Sequence, residues 1–432
     1  MNWQENYHSK LCTADEAVRA IQSRQRLFMT GNCSVPKELL GALVRRAPEL
    51  EGVEIVQVLT LGPADYVAPE MQGHIRVNSL FISDNVRQAV REGRADFTPV
   101  FLSEIPRLMR EPQMLKPDVA LIHVSPPDEH GFCSFGVEVG LTKPAAESAR
   151  IVIAEVNERM PRTLGDSFIH VNRLTLIVPV NYPIVSLPMG APGELQQRIG
   201  QHIAELIPDG ATMQMGIGAI PDAVLLYLGN KRDLGVHTEL FSDGVIGLIE
   251  SGVLTNAAKT LHRGKVVSGF ALGSQRLYDY IDNNPIFEFH PQDYVNDPFI
   301  IAQNVKQISI NSALEVDLTG QVCADSIGAQ FYSGVGGQVD FVYGASRSPG
   351  GLPIIALPAT AKDGTMSRIV SMLKPGAGVV TTRNHVHCVV TEHGVAHLYG
   401  KTVRERVTAM IGIADPRFRE DLSFFARAEH WI

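Results

Sequence analysis

Short apolar runs alternate with stretches of helical periodicity along nearly the whole chain. Strands are predicted at VEIVQVL (53–59), VALIHV (119–124), RIVIAEV (150–156), ATMQMGI (211–217), KQISIN (306–311) and LPIIALP (352–358). Several of these runs are apolar on both faces, as strands are when helices cover both sides of a parallel sheet. Between them, PKELLGALVRRA (36–47), SDNVRQAVREG (83–93), PGELQQRIGQHIAELI (192–207) and PDAVLLYLG (221–229) carry the 3.6-residue period of helices. The alternation predicts an α/β protein built on open, mostly parallel sheets.

One local pattern occurs twice. FMTGNCSVPKELL (28–40) and TMQMGIGAIPDAVLL (212–226) both run strand, glycine, four residues, proline, helix, with Gly31 to Pro36 and Gly216 to Pro221 at equal spacing. Proline suits a first helical turn because the N–H it lacks has no intrahelical partner there. A second strand follows in each half, from Gly52 and from Gly235. Two related α/β units account for this, as does chance likeness between two strand–helix pairs. Prolines and glycines cluster in VNYPIVSLPMGAPGE (180–194), which places a boundary there. The expected domains are 1–187 and 188–432, the second with a small inserted subdomain around 262–320.

Composition narrows the function classes. The 432 residues are 45% hydrophobic and 19% charged, a globular balance that excludes bulk disorder. Thirty-eight Lys and Arg against 46 Asp and Glu leave a net charge of −8, which disfavours general nucleic-acid binding. No apolar run reaches the length of a membrane span, and MNWQENYHSKLC has no apolar signal core. Five scattered cysteines, Cys12, Cys33, Cys133, Cys323 and Cys388, form no CxxC pair and point to a reducing cytoplasm.

The chemistry-bearing candidates start with Glu239 in HTELFSDG (237–244). A carboxylate near the end of an otherwise buried strand is costly to desolvate unless it is paired or used. Ser242-Asp243-Gly244 marks a turn and helix cap, so Glu239 belongs at the carboxyl edge of its strand, where open α/β sheets bind ligands. Both readings, a paired structural glutamate and a reactive one, stand at this point. His237, on the same strand, reads as structural or supporting. MGIGAIP (215–221) follows a strand and opens a helix, which suits an anionic phosphate. It lacks the third glycine of the dinucleotide fingerprint. SGVGGQVDF (333–341) precedes an expected apolar strand and is either a tight turn or a set of amides near a ligand carbonyl.

Other features are weaker. GVAHLYGKT (394–402) has five residues between its glycines where a P-loop has four, and no clear strand-to-helix setting. His385, His387, Cys388, His393 and His397 crowd together without standard metal-ligand spacing, and no metal site is expected. Cys33 has no assignable basic partner and reads as a silent thiol. VSPPDEHGFCSFG (124–136), with Asp128, Glu129 and His130, either lines a site or is simply a turn-rich loop.

Several long motifs in one order resemble the acetyl-CoA hydrolase/transferase family, the glutamate-dependent CoA-transferases. They are VSPPDEHGFCSFG (124–136), MPRTLGD (160–166), MGIGAIPDAV (215–224), LGVHTELFSDG (234–244), SGVGGQVDF (333–341), GGLPIIALPATA (350–361) and EHGVAHLYGKTVRERV (392–407). In length and motifs the resemblance is closest to the 4-hydroxybutyrate and butyryl-CoA:acetate CoA-transferases. It implies two related α/β domains with the active site at their interface. It implies Glu239 as nucleophile, Met215, Gly216, Ile217, Gly218 and Ala219 as the CoA loop, and Gly336 and Gly337 as a second ligand-contacting loop. Asn296, in DYVNDP (293–298), is implied near the acyl group.

The co-substrates implied are coenzyme A, as acyl-CoA, and a short carboxylic acid, with no metal or redox cofactor. A homodimer or larger homo-oligomer is also implied, with neither nucleic acid nor membrane as a partner. Tyr343, where many relatives have arginine, and His393 and His397, in place of tyrosine and aspartate, leave the choice of acyl group open. An acyl-CoA hydrolase using the same glutamate and a non-catalytic CoA-binding protein are the alternatives; a metal-dependent enzyme rests on the late histidines.

Overall fold

The computed structural model describes residues 2–187 and 190–432. Pro188 and Met189, at the expected boundary, lie outside the described residues. The chain forms two compact units, Met1–Leu187 with Val267–Val295, and Pro188–Val266 with Asn296–Ile432.

The first unit is built on a parallel sheet of seven strands. Their order is Asp96–Phe97, Ile75–Phe81, Val53–Val58, Arg26–Met29, Val119–Val124, Ile151–Asn157 and Leu176–Val180. Val119–Val124 is buried at every position, as expected for a strand covered on both faces. The helix Lys37–Arg46 buries Leu39, Leu40, Ala42 and Leu43 against the core and places Arg45 and Arg46 in its last turn, where positive charge offsets the helix dipole. Pro36 stands at the N-cap of this helix, one place before the expected first turn.

The segment Val267–Val295 lies within the expected inserted subdomain around 262–320 and groups with the first unit. Its backbone is bonded into the first unit: Ala271 N to Val137 O, Val139 N to Gly269 O, Asn283 N to Arg162 O and Phe289 N to Leu164 O. Gly165, at φ +94°, lets the chain approach so closely that a Cβ there would lie 2.6 Å from Phe289 O. Apolar periodicity carries no trace of such long-range backbone pairing.

The second unit repeats the topology. Six consecutive strands of its eight-stranded sheet run in the order Gly235–Phe241, Thr212–Gln214, Gln307–Ser312, Leu352–Ala356, Cys388–Thr391 and Gly394–His397. All pair in parallel except the last, which turns back on Cys388–Thr391. In each unit the first strand pairs with the second on one side and with a later strand on the other. The chain therefore leaves the first strand of each unit at a topological switch point, the position where open α/β sheets hold ligands.

One local expectation changes. The strand expected over 211–217 ends at Gln214, whose Oε1 accepts the Ile310 N–H (3.0 Å) and Asn311 Nδ2 (3.2 Å). Between the glycine-rich turn 333–337 and the expected strand over 352–358, residues 338–347 form the helix Gln338–Arg347, which was not anticipated. Its buried Phe341, Val342 and Ala345 recur at helical intervals, and Gly344 leaves no room for a Cβ beside Ile301.

A buried carboxyl locks the helix of the first unit. Glu155 accepts the Leu39 N–H at 2.7 Å and the Tyr182 hydroxyl, and burial pushes its pKa from 4.5 to about 7. The folded protein thus holds this proton more tightly than the unfolded chain. The contribution to stability is full below about 4.5, declines as pH rises to about 7 and is flat above. Urea unfolding of Glu155→Ala should show a loss of about 1–3 kcal/mol from the unpaired N–H and hydroxyl. Glu155→Gln should lack the wild-type decline between those two pH values.

Candidate active site

The carboxyl edge of the second unit's sheet gathers the candidate residues. Glu239 lies two residues before the end of Gly235–Phe241 and is half-buried between the buried Thr238 and Leu240. Thr238 ties this strand to the neighbouring loop. Its Oγ1 accepts the Met215 N–H at 3.1 Å and lies 3.0 Å from Met215 O. Met215 is itself buried, with both backbone groups engaged, so it anchors the loop; Gly216 to Ala219 form its open part. Gly218, at φ +113°, is exposed and adopts a backbone conformation that favours glycine, and the helix Ala219–Leu226 starts directly after it. Pro221 is the third residue of that helix, within the first turn where the spacing placed it.

Three groups surround the Glu239 carboxyl. Asn296, fully buried, places Nδ2 3.4 Å from Glu239 Oε2 and 3.5 Å from Asp340 Oδ2. The Gly337 N–H also bonds to the carboxyl, from the N-cap of the helix Gln338–Arg347. Asp340 stands in the first turn of that helix and is 3% exposed. Although some of Glu239 is exposed, the packed shell holds its pKa up at about 7. Burial is the largest cause; Asn296 and the Gly337 amide lower it, and the Asp340 charge raises it. Gly336, at φ +55°, turns the chain into this N-terminus.

The shape of the site requires glycine at 337. A Cβ built there would sit under 3.0 Å from both Glu239 Oε2 and Asn296 Nδ2. Sequence reasoning placed Glu239, Asn296 and Gly337 as site residues, and the fold brings all three together. It missed Asp340, although an acid three residues after a glycine pair is an N-terminal helix signal. It also missed Asp222, 7% exposed, whose pKa burial raises to about 6 while a hydrogen bond from Ser242 lowers it. That contact links the helix Ala219–Leu226 to the turn after the Glu239 strand.

The remaining candidates have structural explanations. Asp128 accepts the His130 and Phe132 N–H groups, each at 2.9 Å, and pairs with Arg162 at 2.6 Å, so it builds its own loop. Burial pushes the Cys33 thiol up to about 12, away from a reactive thiolate. His387 stacks on Tyr399 with ring centroids 4.0 Å apart, and His385 meets Tyr343 edge-on at 5.6 Å. GVAHLYGKT does lie between a strand, Gly394–His397, and a helix, Val403–Ile413, contrary to expectation. Its Thr402 hydroxyl is committed to a capping box with Glu405 and Lys401 pairs with Glu405 at 3.5 Å, so the segment starts a helix.

Residues 1–187 match the acetyl-CoA hydrolase/transferase N-terminal domain and residues 273–426 the corresponding C-terminal domain. The chain belongs to the acetyl-CoA hydrolase/transferase family. Among curated proteins it is 52% identical to 4-hydroxybutyrate coenzyme A transferase of Clostridium kluyveri, covering 98% of each chain. It is 47% identical to the succinyl-CoA:acetate/propanoyl-CoA:succinate CoA transferase of Fasciola hepatica, over 94% of this chain and 86% of that one. Among solved structures, a 4-hydroxybutyrate CoA-transferase from Porphyromonas gingivalis superposes with a TM-score of 0.87 at 41% identity, covering 99% and 100% of the two chains.

Two substitutions test this family site. Gly337→Ala should cut turnover of acyl-CoA by about a hundredfold or more, measured as kcat/KM, because its methyl displaces the Glu239 and Asn296 side chains. Glu239→Gln should stabilise the protein where wild type must hold a desolvated charge. The gain appears above about pH 4.5 and is complete above about 7, since the folded carboxyl keeps its proton to the higher value. At about 1.4 kcal/mol for each tenfold change in proton affinity, the gain reaches at most roughly 3 kcal/mol in denaturant unfolding at pH 8.

Proposed function

We propose that this chain is a CoA-transferase that moves CoA between a short acyl-CoA and a carboxylic acid, with Glu239 as the covalent nucleophile. The observation that carries the reading is a strand-end carboxyl facing an amide donor on Asn296 and a backbone donor on Gly337. The names of the similar proteins, CoA transferases acting on 4-hydroxybutyrate, succinate, acetate and propanoate, support the same class of reaction.

In the proposed sequence, an ionised Glu239 oxygen attacks the thioester carbonyl. The tetrahedral adduct expels the CoA thiolate and leaves a mixed anhydride. The thiolate then attacks the glutamyl carbonyl, releasing the first acid as its carboxylate and leaving a glutamyl-CoA thioester. The acceptor carboxylate attacks that thioester and expels the thiolate, forming the second anhydride. Attack of the thiolate on the acceptor's carbonyl gives the new acyl-CoA and returns Glu239 as a carboxylate. No net proton is consumed, and the thioester energy is carried through the covalent intermediates, which predicts ping-pong kinetics.

The geometry supports a role for each residue in this reading. The Gly337 N–H and the Asn296 amide are donors that stabilise an oxyanion, each worth roughly 3 kcal/mol in such settings. The stretch from Gly216 to Ala219, half-buried and then exposed, offers backbone N–H groups at a helix start for CoA, and contacts remote from the thioester help offset the high energy of the anhydride. A pKa held near 7 keeps the carboxylate basic enough to attack and still ionised at neutral pH.

Mass spectrometry after brief incubation with acyl-CoA should find a CoA-sized adduct on Glu239 that disappears when a short carboxylate is added. Loss of thioester without any acceptor acid would instead assign the chain to acyl-CoA hydrolysis. Retained exchange in Glu239→Ala would remove the glutamate from the mechanism. The kcat/KM for acyl-CoA should rise with pH through about 7, the range in which Glu239 ionises.

A further inference from the structure

We infer that Asp340 is a positioning residue: its carboxylate fixes the flip of the Asn296 amide, so that the NH2 group faces Glu239. The inference rests on the reading of Glu239 as nucleophile and assigns a part of the site that reading leaves unexplained. An asparagine amide presents an oxygen acceptor on one side and an NH2 with two donor hydrogens on the other. Asn296 Nδ2 stands 3.4 Å from Glu239 Oε2 and 3.5 Å from Asp340 Oδ2, so one nitrogen spans two carboxylates. Two anionic acceptors on one side of an amide both select NH2 there, because the flipped amide would set its oxygen against each of them.

Selecting the donor side has a chemical purpose. The same N–H that holds the resting carboxylate is the one available when charge moves to the acyl oxygen. A buried amide free to flip would lose that donor for part of the time. Asp340 is suited to the task because the helix Gln338–Arg347 fixes it in the turn directly after Gly337, and it is 3% exposed. Asn296 has no exposure and so has little room to reorient once that partner is set.

Asp340 acts on Glu239 in a second way, by charge. Around Glu239, the loop 215–219 and the turn 333–337 carry no ionisable side chain. Its own strand carries His237 two residues back, buried with its ring 6.3 Å from that of Phe341. After Asn296 comes Asp297, whose carboxylate caps the Phe299 N–H at 2.8 Å. Asp340 is the carboxylate whose repulsion raises the Glu239 pKa.

The test is Asp340→Asn, a change of charge at nearly constant shape, assayed for CoA exchange beside Glu239→Ala and Asn296→Ala. An asparagine at 340 can face Asn296 with either end, so selection is lost. The expected result is a kcat lowered about tenfold to a hundredfold with KM for acyl-CoA little changed, as for weakening one oxyanion donor. The acid limb of the pH profile should move to lower pH, because a like charge near Glu239 is gone. At pH well above that limb, adding Asp340→Asn to Asn296→Ala should cost little further, because both act through one amide. A merely structural aspartate would leave the limb in place and its effect would add in full to that of Asn296→Ala; either outcome overturns the inference. Should Asp340→Asn not fold, Asp340→Ser is read by the same criteria. Exchange surviving in Glu239→Ala sinks the nucleophile reading itself. Exchange abolished there but unaltered in Asp340→Asn sinks only the role given to Asp340.

Discussion

A carboxyl held at the border between protein and solvent is the constraint around which the second unit is arranged. Ionised Glu239 is costly in a packed surround, and the site neither abandons it nor fully neutralises it. Asn296 and the Gly337 amide favour the charge while burial and Asp340 oppose it, and the balance leaves the group poised near neutrality. Neutral hydrogen-bond donors supply the support, which avoids the strong depression that a salt bridge to arginine or lysine would cause. In the proposed role of Glu239, too low a proton affinity would make a poor nucleophile, so partial support suits that chemistry better than complete pairing.

The backbone carries as much of this design as the side chains. The absence of a side chain at Gly337 lets a helix start within bonding distance of Glu239 and Asn296. Gly218 turns the other loop through a conformation closed to most residues. Thr238, one residue from Glu239, binds that loop at Met215 and so couples the strand to the loop by a single hydroxyl. These contacts converge because the first strand of the unit ends at a topological switch point, with its two neighbours leading their loops to the same edge.

Much of this was legible along the chain. Alternating apolar runs and helical periods gave the α/β class, because burial on both faces of a strand and on one face of a helix leaves unlike patterns in sequence. The isolated acid in HTELFSDG stood out because a lone carboxylate among apolar neighbours needs a reason. The glycine pair at 336–337 stood out as a place where backbone must approach something. The helix that follows it went unread, because QVDFVYGASR mixes β-formers with small residues and its period shows only through Phe341, Val342 and Ala345. Asp340 was hidden with it, since its meaning depends on being in a first helical turn.

The amino-acid order by itself therefore determined which elements form, where the chain can turn tightly and which side chain is chemically out of place. Tertiary structure alone decided that Val267–Val295 bonds back onto a loop more than a hundred residues earlier, and that Asn296, Gly337 and Asp340 meet at one carboxyl. The physical reason is that periodicity records how a segment sits against water and core, whereas a hydrogen bond between distant segments leaves no local imprint. The proton affinity of Glu239 belongs to the second kind, because it is set by distances to groups that the chain brings together only when folded.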